Sequence, residues 1–153
     1  MMAQERFKAY LYEANRHKEH VLEARRELKV PVEDYDSLPK MEKFALNTLI
    51  FRFSKLQDLI GAKMMRAYLE YSEFPVSDMS FFDILKAMEK ERITDIDTWS
   101  VLRRLRNDIA HDYPEELGEM IEKVNLLIEQ SGELLEILDR LESKYREIER
   151  QRD

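Results

Sequence analysis

The chain has 153 residues, 44% of them hydrophobic and 37% charged, with 32 acidic against 25 basic side chains. That length fits a single domain, residues 1–153, able to bury about 68–70% of its unfolded surface without a metal or disulfide staple. The absence of cysteine excludes a disulfide framework, a thiolate metal site and a Cys nucleophile. A net charge of −7 argues against non-specific coating of nucleic acid, although a local basic site remains compatible with it. Three Gly and four Pro favour long helices over many short strands.

The N-terminus, Met-Met-Ala-Gln-Glu-Arg, lacks the apolar core of a signal peptide. The greasiest stretch, Phe44 to Phe53, is interrupted by Asn47 and Arg52 and is too short to span a bilayer. The expectation is a soluble, cytoplasmic protein with no membrane partner.

Helical periodicity runs almost throughout. Tyr10, Ala14, His17, Val21, Ala24 and Leu28 form an apolar stripe on a helix over about residues 3–29. Two prolines and clustered Asp/Ser make residues 30–39 a turn. A second helix is predicted from Lys40 to Tyr71, apolar on most sides between Phe44 and Phe53. Such a helix is covered on more than one face, and a second subunit can supply the extra cover. After Phe74-Pro75, Ser77 or Asp78 can cap a short helix over about 79–91. Thr94 or Asp95 can cap a fourth, with Trp99, Val101, Leu102, Leu105 and Ile109 as its buried set. Pro114 suits the first turn of a last helix, about 35 residues long, whose stripe runs from Met120 through Leu127, Ser131, Leu138 and Tyr145 to Ile148. The predicted fold is an all-α, antiparallel bundle of four or five helices with a long C-terminal helix.

No phosphate loop, Gly-rich dinucleotide fingerprint or Ser-nucleophile elbow is present in the sequence. His17 falls on the apolar stripe of the first helix and reads as a hydrogen-bonded core or interface residue. Glu13, His17 and His20 lack a second cluster, and paired Glu-x-x-His motifs are missing, so neither a metal nor a cofactor is expected. Arg16, Lys18, Arg25 and Arg26 make the first helix locally basic, either as a solvated face or as part of an RNA groove.

The informative segment is Leu102-Arg103-Arg104-Leu105-Arg106-Asn107-Asp108-Ile109-Ala110-His111-Asp112-Tyr113. Arg103, Asn107 and His111 recur at i, i+4 and i+8, while Arg106 lies about 140° from His111 around an ideal helix. An imidazole can take a proton from a ribose 2′-OH or return one to a leaving oxygen. A guanidinium can bind a phosphate through two parallel hydrogen bonds and stabilise its transition-state charge. The simpler alternative is that Arg106 pairs with Asp108 or a nearby Glu and that His111 merely ends the helix.

Arg106-Asn107-Asp108-Ile109-Ala110-His111, followed by Tyr113, resembles the signature of HEPN domains, and the His-x-Tyr looks like HepT-type toxins of HEPN–nucleotidyltransferase (MNT) pairs. That resemblance implies a helical homodimer whose two Arg–His motifs face a shared cleft. It implies a metal-independent endoribonuclease toxin of a type VII toxin–antitoxin system. In that reading Arg106 and His111 are catalytic and Asn107 assists them. Arg103 and Arg104 bind RNA, and the partner nucleotidyltransferase antitoxin attaches AMP to Tyr113. Without the resemblance, Tyr113 reads as a packing residue at an interhelix corner. The competing function is a non-catalytic helical subunit that docks a nucleotidyltransferase or presents nucleotide to it.

Overall fold

The computed structural model describes residues 2–112 and 120–152, with backbone alone for 110–112. Among these residues there is no strand, and the elements pack as an all-α bundle. No helix among them is long and apolar enough to cross a membrane.

Helix α1 (Ala3–Glu27) buries Phe7, Leu11, Ala14, His17, Val21 and Ala24 along one face. This is the stripe expected from periodicity, except that Phe7 and Leu11 carry its N-terminal end while Tyr10 is half-buried at the flank. The helix stops two residues earlier than predicted because Leu28 turns extended and donates its N–H back to the Arg25 carbonyl at 3.2 Å. The loop that follows is fastened by Asn125 of the last helix. Its amide accepts from the Val32 N–H and donates to the Val32 carbonyl, both at 2.8 Å. One side chain thereby satisfies both backbone groups of a buried loop residue.

The predicted second helix is helical across 40–71, but it is not uniform. It consists of α2 (Lys40–Leu59), a π turn (Ile60–Met64) and α3 (Met65–Tyr71). Its inner face buries Leu46, Leu49, Ile50, Phe53, Leu56 and Ile60. Its outer face leaves Met41, Phe44 and Phe51 at 67%, 53% and 53% exposure, so within one chain the Phe44–Phe53 segment is covered on one side only.

Helix α4 (Phe81–Lys90) is capped by Ser80, not by Ser77 or Asp78, which lie in a single 3₁₀ turn (Val76–Asp78). The reason is reciprocity. Ser80 Oγ accepts from the Asp83 N–H at 3.1 Å, and Asp83 Oδ2 accepts from the Ser80 N–H at 3.0 Å. Three residues beyond Ser77 or Asp78 stand Ser80 and Phe81, neither of which can return an acidic cap. These bonds hold the Asp83 carboxyl below its ordinary pKa.

Helix α5 (Ile96–Asp112) is capped by Asp95, which accepts from the Thr98 N–H at 2.7 Å and from its hydroxyl at 2.9 Å. Thr94, the other candidate, is buried with its hydroxyl unpartnered. Helix α6 (Ile121–Arg152) spans 32 residues and buries Val124, Leu127, Ser131, Leu134, Leu138, Leu141 and Tyr145, the predicted stripe. The proposed start at Pro114 lies outside the described residues.

Trp99, 1% exposed, is the contact that seats α5 on the π turn. A Cβ added to Gly61 would stand 2.7 Å from Trp99 Cζ2, so the indole occupies the space any other residue would need. Gly61→Ala is therefore expected to destabilise the fold by up to about 2 kcal/mol. The overpacking cost of a rigid buried ring, about 1–3 kcal/mol, exceeds the gain of about 1 kcal/mol in helix propensity. Urea unfolding measures it, and a more stable variant would show that the indole can move aside.

Candidate functional site

Because Trp99 fixes α5 against the π turn, the next two turns of α5 rise beside the C-terminal end of α2. A cleft of about 720 Å³ opens between them, lined by Asp58 and Ala62 on one wall and by Arg103, Arg106 and Asn107 on the other. Phe81 of α4 closes one side, and the Arg103 guanidinium lies 5.8 Å from its ring centre.

Arg106 is oriented across this cleft by Asp58. Its Nε donates to Asp58 Oδ1 at 2.9 Å and its Nη2 donates to Oδ2 at 2.8 Å, a fork-to-fork pair. These hydrogen bonds push the already high pKa of Arg106 up further, so its charge is permanent. With Nε and Nη2 engaged, Nη1 has no hydrogen-bond partner among the described residues and can still donate to an anion. The ion pair of the simpler alternative is thus present, with Asp58 in place of Asp108 or a nearby Glu, and Asp108 pairs with Lys123 of α6 at 3.1 Å.

The helix brings together three of the predicted residues: Arg103, Arg106 and Asn107 share the cleft. Arg104 is exposed on α5 and does not line it. Leu102, Leu105 and Ile109 are buried as expected, and Val101 is half-buried. The α5 backbone runs through position 111, while the His111 side chain and Tyr113 lie outside the described residues.

Asp58 is the functional candidate that motif reasoning missed. It stands 48 residues before Arg106, beyond any local spacing rule. One signal pointed to it: between Glu42 and Glu70 it is the sole acidic residue of the helical run.

His17 is buried, 8% exposed, and its Nδ1 lies 3.2 Å from Arg52 Nη1. A guanidinium only donates, so Nδ1 is the acceptor and the proton of the neutral ring sits on Nε2. Among the described residues, no three His, Asp or Glu side chains converge as a metal site.

No protein-family model, curated protein or solved structure matches this chain.

Burial, and then the neighbouring Arg52 charge, lower the His17 pKa below its ordinary 6.5. The unfolded chain thus binds this proton more readily than the folded one, so the stabilisation is complete above pH 6.5 and is lost as pH falls below it. In urea titrations between pH 7 and about 5.5, the wild type is expected to lose stability relative to His17→Gln, which cannot titrate there. Parallel pH profiles for the two proteins would contradict the assignment.

Proposed function

We propose that the chain is a HEPN-type endoribonuclease, acting as a homodimeric toxin and controlled by a nucleotidyltransferase antitoxin. The observation that carries this reading is the cleft in which Arg103, Arg106 and Asn107 converge, one turn before His111 on the same helix. In this reading the scissile phosphate lies against the Nη1 edge of Arg106. The ribose 2′-OH attacks the adjacent phosphorus, and the 5′-oxygen leaves to give a 2′,3′-cyclic phosphate. His111 moves the proton, either from the 2′-OH or to the departing oxygen. Asn107 orients these groups by hydrogen bonds. Arg103 and Arg104 neutralise flanking phosphates.

Asp58 acts here as a positioning residue. It touches no reacting atom, but it fixes the plane of the Arg106 guanidinium before RNA arrives. Preorganised charge of this kind is worth more than charge that must be recruited during the reaction. A bidentate carboxylate also lets one guanidinium edge face solvent without rotating freely.

Silencing runs through Tyr113 in the same reading. Its phenolic oxygen attacks the α-phosphorus of ATP on the nucleotidyltransferase, and pyrophosphate leaves. The attached nucleotide brings negative charge and acceptor oxygens into a neighbourhood of three arginines, 103, 104 and 106, and competes with RNA there. The expected outcome of co-expression is a nucleotide-sized mass increase on the peptide holding Tyr113. Full neutralisation of Tyr113→Phe would place the inhibition elsewhere.

Purified protein incubated with RNA in EDTA tests the chemistry directly. Cleavage to cyclic-phosphate ends is expected from the wild type. It is expected to fall by about 100-fold or more in His111→Ala and in Arg106→Ala, in line with the loss of an acid–base group or a charge-stabilising donor. Cleavage that needs Mg²⁺, or that survives both substitutions, would overturn the mechanism.

A further inference from the structure

The outer face of α2 leads straight into the cleft. Phe44, Phe51, Lys55, Asp58 and Ala62 are all exposed and follow one another at spacings of seven, four, three and four residues, along a single stripe. Both phenylalanines leave 53% of their surface to solvent, and each is flanked by cations. The Phe51 ring has Arg52 at 5.7 Å and Lys55 at 5.6 Å from its centre, and Phe44 has Lys40 at 5.7 Å. Three cations, Lys40, Arg52 and Lys55, flank the two rings, while Lys43 and Lys63 lie over Tyr35 and Tyr10 away from the stripe, and the acid on the stripe, Asp58, is paired with Arg106. This is a positive strip in a chain whose net charge is −7.

We propose that this strip is a single-stranded RNA track, with bases stacked on Phe51 and Phe44 and phosphates drawn to Lys55 and Lys40, feeding the strand to Arg106. The proposal rests on the ribonuclease reading of the cleft and extends it to where the substrate lies. An exposed ring beside a cation is the unit of sequence-tolerant single-strand binding, because every base has a π-face and every nucleotide a phosphate. The spacing also fits. Phe44, Phe51 and Asp58 are seven residues apart in turn, about 10 Å at 1.5 Å per residue, which accommodates about three stacked nucleotides at 3.4 Å.

A second copy of the chain is the other occupant an exposed aromatic stripe can have. Charge disfavours it near the cleft, where two-fold pairing of the strip would bring its lysines toward those of an equally positive strip. The far end, at Met41, is different. There Glu23, Arg26 and Glu27 of α1 border a hollow of about 430 Å³ beside Phe44, so acidic groups offset the cations beyond Lys40. The track therefore runs from Phe44 toward the cleft. The two-fold of the proposed dimer is left to the motif helix.

The test measures binding apart from cleavage. The full-length chain carries His111→Ala so that RNA stays intact, and the probe is a fluorescein-labelled single-stranded RNA of about 12 nucleotides, within the usual site size. Fluorescence anisotropy in EDTA is expected to show affinity weakened about tenfold by Phe51→Ala, and by a similar factor by Lys55→Glu with a shallower salt dependence. Phe51→Trp should retain binding because it retains a stacking face. Tyr12→Ala, at an exposed aromatic on α1, should change nothing. Unchanged affinity in both Phe51→Ala and Lys55→Glu overturns the track, as does absence of RNA binding by the parent. Conversion of a dimer to a monomer by Phe51→Ala, seen by light scattering with RNA affinity intact, assigns the strip to a second copy instead. Wild-type protein that binds through the strip but never cuts refutes the ribonuclease reading alone. Cleavage and binding that ignore Phe51 and Lys55 refute the track alone.

Discussion

The seating of the Trp99 indole on the bare backbone of Gly61 sets the position of everything in the cleft. A helix crossing another at ordinary distance is separated by side chains on both sides, whereas here one partner contributes none. The π turn at Ile60–Met64 inserts one extra residue into the run. Downstream of it, α3 buries Met65, Tyr68 and Leu69, and the Tyr68 hydroxyl reaches Glu91 at the end of α4 at 2.7 Å. Upstream, the same run presents Asp58 to α5. A single local distortion thus serves a core on one side and a cleft on the other.

The Arg106–Asp58 pair contributes little to folding. Both side chains are substantially exposed, at 29% and 46%, and exposed ion pairs are worth about 0–1 kcal/mol. Its consequence is directional. Arg140 offers the contrast: it donates to the Ile93 carbonyl at 2.9 Å and reaches Glu133 and Glu136, so its hydrogen bonds tie α6 to the loop before α5. Burial, together with the nearby Glu136, keeps Glu133 above the usual carboxylate range, as expected where two acids share one cation. Arg140 is spent on the fold, whereas Arg106 keeps an edge open to a cleft.

The sequence was most legible where a helix is amphipathic and long. The α1 and α6 stripes follow from three-four spacing alone, because each helix faces one core. The ends at Tyr71 and near 91 were legible too, whereas the start of α4 was not, because its cap is set by the reciprocal Ser80–Asp83 bonds. The residues after α3 and α4 that adopt the left-handed conformation are Glu73 and Arg92, with φ of 70° and 59°, not glycines. Each precedes a bond that closes the helix end, from the Phe74 N–H to the Leu69 carbonyl and from the Ile93 N–H to the Met88 carbonyl. Neither stop carries a glycine, and the breaks that follow, Phe74-Pro75 and Thr94-Asp95, are what made them readable. The apolar breadth of α2 predicted cover on two faces, yet breadth does not say which residues point inward. Leu46, Leu49 and Phe53 do so, and Phe44 and Phe51 do not. In the cleft, the motif residues were legible and their partner was not, since Asp58 meets Arg106 only through tertiary packing.

The same geometry bears on how many chains a catalytic site would need. Helix α5 is continuous from Ile96 to Asp112, and on an ideal helix positions 106 and 111 lie about 140° apart. Arg106 is turned toward α2, where it makes two hydrogen bonds to Asp58. Positions five apart on one helix are poorly placed to present two side chains to the same phosphate. Two copies related by a two-fold relieve the conflict, because the arginine of one and the histidine of the other can approach a common groove from opposite sides. For the Arg106–His111 pair proposed above, the hydrogen bonds that orient Arg106 within its own chain thus favour a composite site. A positive strip on α2 would then enter that groove once from each subunit.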